Sequence, residues 1–360
     1  MEFYIYITNN CNLNCSYCSV LLNKDKAVKP QAIQYPLSDL RKFVDTVQRN
    51  NNDKHATICF FGGEPTLDFC KIESLLKAFE NVKSYEIRYI LHTNGLLLSS
   101  IPDTIIKRLD IIFLSLNYEK IFIKGNISDY FIGITESLLS IKTKKQIPTI
   151  GRLTITSETS LYSQCTLLPD TFDYIYWQID NQEQIKDIVN YKENYKKNIS
   201  ILFDYWLSFL KKGTVLNYVP FLSIIRNLID NEPPPKNYYC GYGHYSVFVQ
   251  TDGACYACCE AVESSAHIIG DIYNGIRFSN MDIDNSKCLN CLYLKLCGGR
   301  CGRMQKDFSQ KRINDFCELN IFTFNLIINA LPSIKKHIKT NSDLLEAIYD
   351  EHLDYTEQIS

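Results

Sequence analysis

Three thiols stand close together near the start of the chain, at Cys11, Cys15 and Cys18, with three and then two residues between them. They follow the apolar run Phe3 to Ile7. A loop leaving a strand can fold cysteines spaced in this way onto three corners of a cubane cluster. Thiolates are soft, charged donors, and they suit iron–sulfur clusters. Three protein ligands instead of four leave one iron open, and an open metal position is a place for chemistry. A structural zinc site is the plain alternative. It needs a fourth ligand close by, and the next cysteine is Cys59.

A second group of nine cysteines occupies positions 240, 255, 258, 259, 288, 291, 297, 301 and 317. Cys288, Cys291, Cys297 and Cys301 are separated by two, five and three residues, and Cys317 follows after fifteen more. A zinc ribbon on the four closely spaced thiols leaves Cys240, Cys258 and Cys317 without a role. Secreted disulfide scaffolds are short and carry a signal peptide, so clustering of this kind favours ligands over bridges. Cys59, Cys70 and Cys165 sit among apolar residues and read as ordinary buried thiols.

The 360 residues carry a net charge of −2, which leaves no basic field for nucleic acid. There is no uninterrupted run of eighteen apolar residues, and no charged amino-terminal region leads into an apolar core. The expectation is a soluble, cytoplasmic protein that binds neither nucleic acid nor membrane.

The elements that must position these residues alternate. Strand-like runs cover Phe3–Thr8, Thr57–Phe61, Glu86–Thr93, Asp110–Leu116, Thr149–Thr156 and Asp173–Ile179. Between them lie the amphipathic stretches Ser38–Asn50, Asp68–Val82, Pro102–Leu109 and Tyr130–Lys142, with Ser38 read as an N-cap. Six strands alternating with helices imply a parallel sheet, which gathers functional groups at the carboxyl ends of its strands. Those ends carry Gly62-Gly63-Glu64-Pro65, His92-Thr93-Asn94 and Ser115. Arg152 interrupts the fifth strand, where a charge needs a partner. Glu232-Pro233-Pro234-Pro235 marks a linker. Further on, Asp252-Gly253 reads as the turn of a hairpin that presents Cys258.

The cysteine triplet, with Tyr17 just before its last member, resembles the signature of the radical SAM superfamily. That resemblance implies a partial (β/α)6 barrel, a [4Fe–4S] cluster on Cys11, Cys15 and Cys18, and S-adenosylmethionine on its open iron. Reductive cleavage of the sulfonium would then give a 5′-deoxyadenosyl radical that removes a hydrogen atom from substrate. It also implies cofactor contacts at Tyr17, Gly62, Gly63, Glu64, Pro65, Asn94, Ser115 and Arg152. Glu64 is placed against the amino group and Arg152 against the carboxylate, with a salt bridge to a nearby acid as the alternative for Arg152. Many relatives carry an Asp where Asn117 stands.

The later cysteines resemble the SPASM extension of radical SAM peptide-modifying enzymes, which holds two auxiliary [4Fe–4S] clusters. Carried over by position, one cluster uses Cys288, Cys291, Cys297 and Cys317. The other uses Cys240, Cys258 and Cys301, with Cys255 or an open iron completing it. Sulfatase maturases of the family have an Asp where Cys259 stands. A thiol there is a candidate hydrogen donor, as in certain peptide epimerases.

The expected organisation is a barrel with its following helices over residues 1–230, a cluster-binding SPASM domain over 236–318, and C-terminal helices over 319–360. The expected activity is installation of a thioether or other side-chain crosslink in a ribosomally made precursor peptide. Cα epimerisation through Cys259 and formylglycine formation are the alternatives. A zinc-binding structural protein is the remote one. The chain opens on its first strand, so a separate leader-recognition protein is expected as a partner or the peptide binds directly. A flavodoxin- or ferredoxin-type reductant would supply electrons.

Overall fold

The computed structural model describes residues 1–15, 18, 31–116, 127–157, 159–168, 170, 172–180, 185–234, 237–262, 264–278, 282–283 and 285–350. Tyr17 and Asn117 lie outside the described residues.

The expected alternation of strand and helix is present. Strands β1 (Glu2–Thr8), β2 (His55–Gly62), β3 (Glu86–Thr93) and β4 (Ile111–Leu116) pair in parallel in that order. Their interiors are nearly continuous runs of Ile, Leu, Val, Phe and Tyr, as expected of strands covered on both faces. The strands β5 (Thr149–Ile155) and β6 (Tyr174–Ile179) follow, so the first six agree with the sequence reading to within two residues at each end. Helices Leu37–Asn51, Phe69–Ala78 and Ile127–Lys144 lie between them.

Two local readings need correction. Ser38 is not the N-cap of its helix. Pro36 holds that position, with no side-chain hydrogen bond, and the extended backbone that proline favours does the work of starting the helix. Cys70 is exposed, whereas Cys59 and Cys165 are buried as expected. It falls on the outer face of the helix Phe69–Ala78, whose buried residues are Ile72, Leu75 and Leu76.

The chain forms two compact units that cut across the division read from sequence. One comprises residues 1–151 and 241–281; the other comprises 152–240 and 282–360. The physical reason is sheet pairing. Strand β7 (Ser246–Val249) pairs in parallel with β1, matching Ser246 to Glu2 and Val249 to Ile5. Three antiparallel strands, β8 (Ala254–Tyr256), β9 (Ile268–Asp271) and β10 (Gly275–Ile276), continue outward from it. The expected hairpin is therefore sewn into the first unit. Gly253, at φ 90°, supplies the left-handed position of its turn.

The second unit packs around long helices. Ile188–Leu210 and Val219–Asp230 bury Tyr195, Trp206 and Phe221, and Gln310–Ile338 buries Phe316, Leu319 and Phe324. By length and composition Gln310–Ile338 could cross a membrane. Here it packs within the unit, where Lys192 pairs with Asp315 at 3.1 Å and Glu318 at 2.7 Å. A short helix, Ser342–Ile348, follows it; residues 351–360 lie outside the described residues.

Candidate active site

Parallel pairing puts the carboxyl ends of β1 to β4 on one edge of the first unit, and the first cysteine loop leaves from there. Two glycines fasten it. A β-carbon on Gly62, which has φ 121°, would lie 2.3 Å from the Thr8 carbonyl oxygen, and one on Gly63 would lie 2.2 Å from that of Asn10. No side chain fits at either distance. The backbones can therefore touch, and the Gly63 amide donates to Thr8 O and the Glu64 amide to Asn10 O, both at 2.8 Å.

Glu64 is buried, and its carboxylate is the hub of the edge. Oε1 accepts from the Thr66 hydroxyl at 2.6 Å, the Thr93 hydroxyl at 2.7 Å and the Thr66 amide at 3.1 Å. Oε2 accepts from the Asn94 amide at 2.7 Å. Four donors use most of the acceptor capacity of a carboxylate. The side chain thus ties the end of β2 to the end of β3. Pro65 starts the short helical turn Pro65–Leu67 that brings Thr66 into place.

Asn94 extends this network to the thiols. Its Nδ2 donates to Asn12 Oδ1 at 2.7 Å and approaches Cys11 Sγ at 4.0 Å, while the Leu13 amide reaches the same sulfur at 3.4 Å. Tyr130 donates to the Asn94 carbonyl at 3.0 Å. Burial raises the Cys11 thiol above its ordinary pKa, and these N–H donors oppose the rise. Cys15 and Cys18 are half-buried, joined by a bond from the Cys18 amide to Cys15 O at 3.2 Å. Ser115 is half-buried near the end of β4.

Cys258 and Cys259 also belong to the first unit. The Tyr6 hydroxyl donates to Cys259 O at 3.4 Å, and Cys259 packs against Tyr6, Phe248, Tyr256 and Val262. Burial lifts the Tyr6 phenol well above its ordinary pKa, and the nearby Cys259, Glu260, Cys258 and Cys18 add to it. Cys255 differs. Tyr256 and Ala254 share the face that holds Cys259, so strand alternation turns Cys255 to the opposite one. Its fully buried sulfur lies 3.8 Å from Gly253 O, in its own turn. That geometry removes the support for Cys255 as a cluster ligand beside Cys258.

In the second unit, Cys288, Cys291, Cys297 and Cys317 line one cavity, together with Tyr293, Gly299, Arg300, Asn320 and Phe324. Asn320 Nδ2 approaches Cys297 Sγ at 3.9 Å, and Gln305 Nε2 approaches Cys288 Sγ at 3.6 Å. Burial pushes the Cys297 thiol up to about 12, opposed by the positive charge of Arg300. Cys301 caps the short helix Gly302–Asp307, and Cys240 is exposed. Among the described residues, no three His, Cys, Asp or Glu side chains are already closed to metal-ligand distances. Arg152 lies in β5 with its Nε buried and no hydrogen-bond partner among the described residues.

Sequence reasoning missed Asn12, Thr66 and Tyr130. They are short polar or aromatic side chains beside the motifs, and only the fold shows what they touch.

A family model described as the radical SAM superfamily matches residues 5–119, the stretch that contains the thiol triplet and the Glu64 hub. The chain carries a radical SAM domain. It is 26% identical over 381 residues to the radical SAM cyclopropyl synthase TigE of Paramaledivibacter caminithermalis, covering 93% of this chain and 74% of that one. It is 23% identical to a cysteine-type anaerobic sulfatase-maturating enzyme of Clostridium novyi, covering 91% and 95%. Among solved structures the fold is similar to that of anSMEcpe with bound AdoMet, with a TM-score of 0.71 at 19% identity over 98% of both chains. The same enzyme with AdoMet and the Cp18Cys peptide gives a TM-score of 0.67 at 19% identity, covering 92% of this chain and 99% of that one.

A radical SAM enzyme needs a [4Fe–4S] cluster and S-adenosylmethionine, and the residues present fit both. The first loop offers three thiols to a soft metal and is held by N–H donors that favour thiolate. Arg152 on β5 has a buried Nε without a hydrogen-bond partner among the described residues, a donor suited to a carboxylate.

Proposed function

We propose that this radical SAM enzyme oxidises a C–H bond of a peptide to install a crosslink in it. With cluster and cofactor bound, the amino-terminal site supplies a carbon radical able to take a hydrogen atom from an unactivated carbon. Cys11, Cys15 and Cys18 hold the cluster. Gly62, Gly63, Glu64 and Asn94 fix the loop.

The observation that carries the crosslinking reading is the four-thiol cavity of Cys288, Cys291, Cys297 and Cys317. A crosslink removes two hydrogens from the peptide, so one electron must leave it after the first hydrogen atom has gone. A cavity of four thiols, two of them approached by side-chain amides, suits a second cluster that could take that electron. Relatedness to a cyclopropyl synthase, together with a fold shared with an enzyme solved with peptide, supports a peptide substrate.

A second reading is epimerisation, favoured by the half-buried Cys259 packed on Tyr6 of the strand that leads to Cys11. Formylglycine formation is less supported, because Cys259 stands where the resembling maturases carry an Asp.

The test is anaerobic turnover with candidate peptides encoded beside this gene, following 5′-deoxyadenosine and peptide mass. A product two hydrogens lighter is expected. An unchanged mass with one D-residue would replace crosslinking by epimerisation, and absence of 5′-deoxyadenosine with every peptide would defeat both.

A further inference from the structure

Between Cys297 and Cys301 the backbone does something unusual. Gly298, Gly299 and Arg300 are left-handed in succession, at φ 61°, 76° and 65°. Glycine adopts that region freely, whereas an arginine there is strained by roughly 1–2 kcal/mol. The loop is pinned on both glycines. A β-carbon at Gly298 would fall 2.2 Å from the Tyr239 ring, and one at Gly299 would fall 2.8 Å from Ile283.

The strain delivers a cation to the interior. Arg300 is only 2% exposed. Its guanidinium lies over the Phe316 ring at 4.9 Å, with Nε 3.4 Å from the Met304 sulfur and an NH1 contact to Phe316 O at 3.4 Å. The same residue lines the cavity of Cys288, Cys291, Cys297 and Cys317, and its charge acts on Cys297, Cys301 and Cys317 alike. Four thiolates around a [4Fe–4S] core leave a net charge of −2 when oxidised and −3 when reduced. A fixed positive charge beside the cavity therefore favours the reduced form more than the oxidised one.

We propose that Arg300 is a positioned counter-charge that raises the reduction potential of the cluster held by Cys288, Cys291, Cys297 and Cys317, so that it can accept an electron from substrate. The inference rests on the auxiliary-cluster reading above and assigns Arg300 a positioning role, since it ligates nothing. Arginine suits the task because its guanidinium keeps its charge when buried and stacks on a ring.

The test uses the full-length chain with Cys11, Cys15, Cys18 and Cys258 changed to Ala, so that the four-thiol site alone remains to titrate. Iron content and the midpoint potential, followed by electron paramagnetic resonance, are compared with Arg300, with Arg300→Met and with Arg300→Lys. The methionine variant should shift the reduced-to-oxidised ratio at a fixed potential at least tenfold toward oxidised, about 59 mV for one electron. The lysine variant should recover most of that shift. Loss of iron from the methionine variant but not from the lysine variant would support the same role. An unchanged potential in the methionine variant, or an equal shift or equal iron loss in both, would overturn it and leave Arg300 as a packing residue. Absence of iron with Arg300 in place would remove the cluster itself, which separates failure of that reading from failure of the charge.

Discussion

The two cysteine regions are built on opposite principles. The amino-terminal thiols are half-buried on a loop of the first unit, held through backbone-to-backbone contact at Gly62 and Gly63 and through the Glu64 hub. The thiols of the second unit, half-buried as well, line a cavity whose walls include a 29-residue helix. An accessible loop suits a metal that must meet a cofactor and a substrate. A cavity walled by core residues suits a metal that only exchanges electrons, because exclusion of water fixes its potential. What surrounds the thiols, a loop strapped by glycines or a wall of helices, thus separates the reacting metal from the proposed supporting one.

The sharpest break between the two should come from removing thiols. Replacing Cys11, Cys15 and Cys18 by Ala is expected to abolish 5′-deoxyadenosine formation and to remove about four irons per chain. Thermal stability should change little, because these thiols contribute little buried surface. Replacing Cys297 and Cys317 by Ala should instead leave cofactor cleavage in place, stop the two-hydrogen mass loss and lower the melting temperature. Calorimetry and product analysis on the same preparations compare the two. Equal melting temperatures in both variants would erase the distinction drawn here.

Gly63→Ala tests the strap. Its new methyl group must displace the Asn10 carbonyl, and a displacement of about 1 Å at the loop can cost on the order of 100-fold in turnover. Turnover within threefold of the parent would show that the loop tolerates the shift.

Glu64→Gln keeps the shape but turns one acceptor into a donor facing other donors. A loss of about 1.5–3 kcal/mol is expected from urea unfolding, the range for hydrogen bonds to a charged group.

The smallest effect belongs to Glu318, whose carboxylate meets Lys192 and Lys196 on the surface of the second unit. Those lysines hold its pKa below the usual carboxylate value. The stabilisation is therefore present above the unfolded pKa, near 4.3, and is lost as pH falls through the lower folded value. With the side chain nearly half exposed, Glu318→Gln should cost about 0.5 kcal/mol at pH 7 and almost nothing at pH 3.

Much of this was legible in the sequence. The six strands, the thiol triplet and the strand-end Gly62-Gly63-Glu64 follow from periodicity and spacing, which local physics controls. What was not legible depends on partners distant in sequence. Glu64 read as an acceptor for a ligand's ammonium group, and nothing local showed that residues 66, 93 and 94 also donate to it. The hairpin after Gly241 looked like part of a separate cysteine domain because nothing local shows that β7 pairs with β1. Arg300 was silent for the same reason, since a charge between two cysteines reads as solvated until its burial is seen.

The helix Gln310–Ile338 carries Cys317 in its first third and is apolar enough to suit a bilayer. Any ion taken up by the cavity thiols would be tied through Cys317 to that helix. Polypeptide made under iron starvation should leave that segment untethered, and the foreseeable failure is then clumping or adherence to lipid vesicles rather than quiet inactivity. Sedimentation of the iron-free chain with phosphatidylcholine liposomes would reveal it.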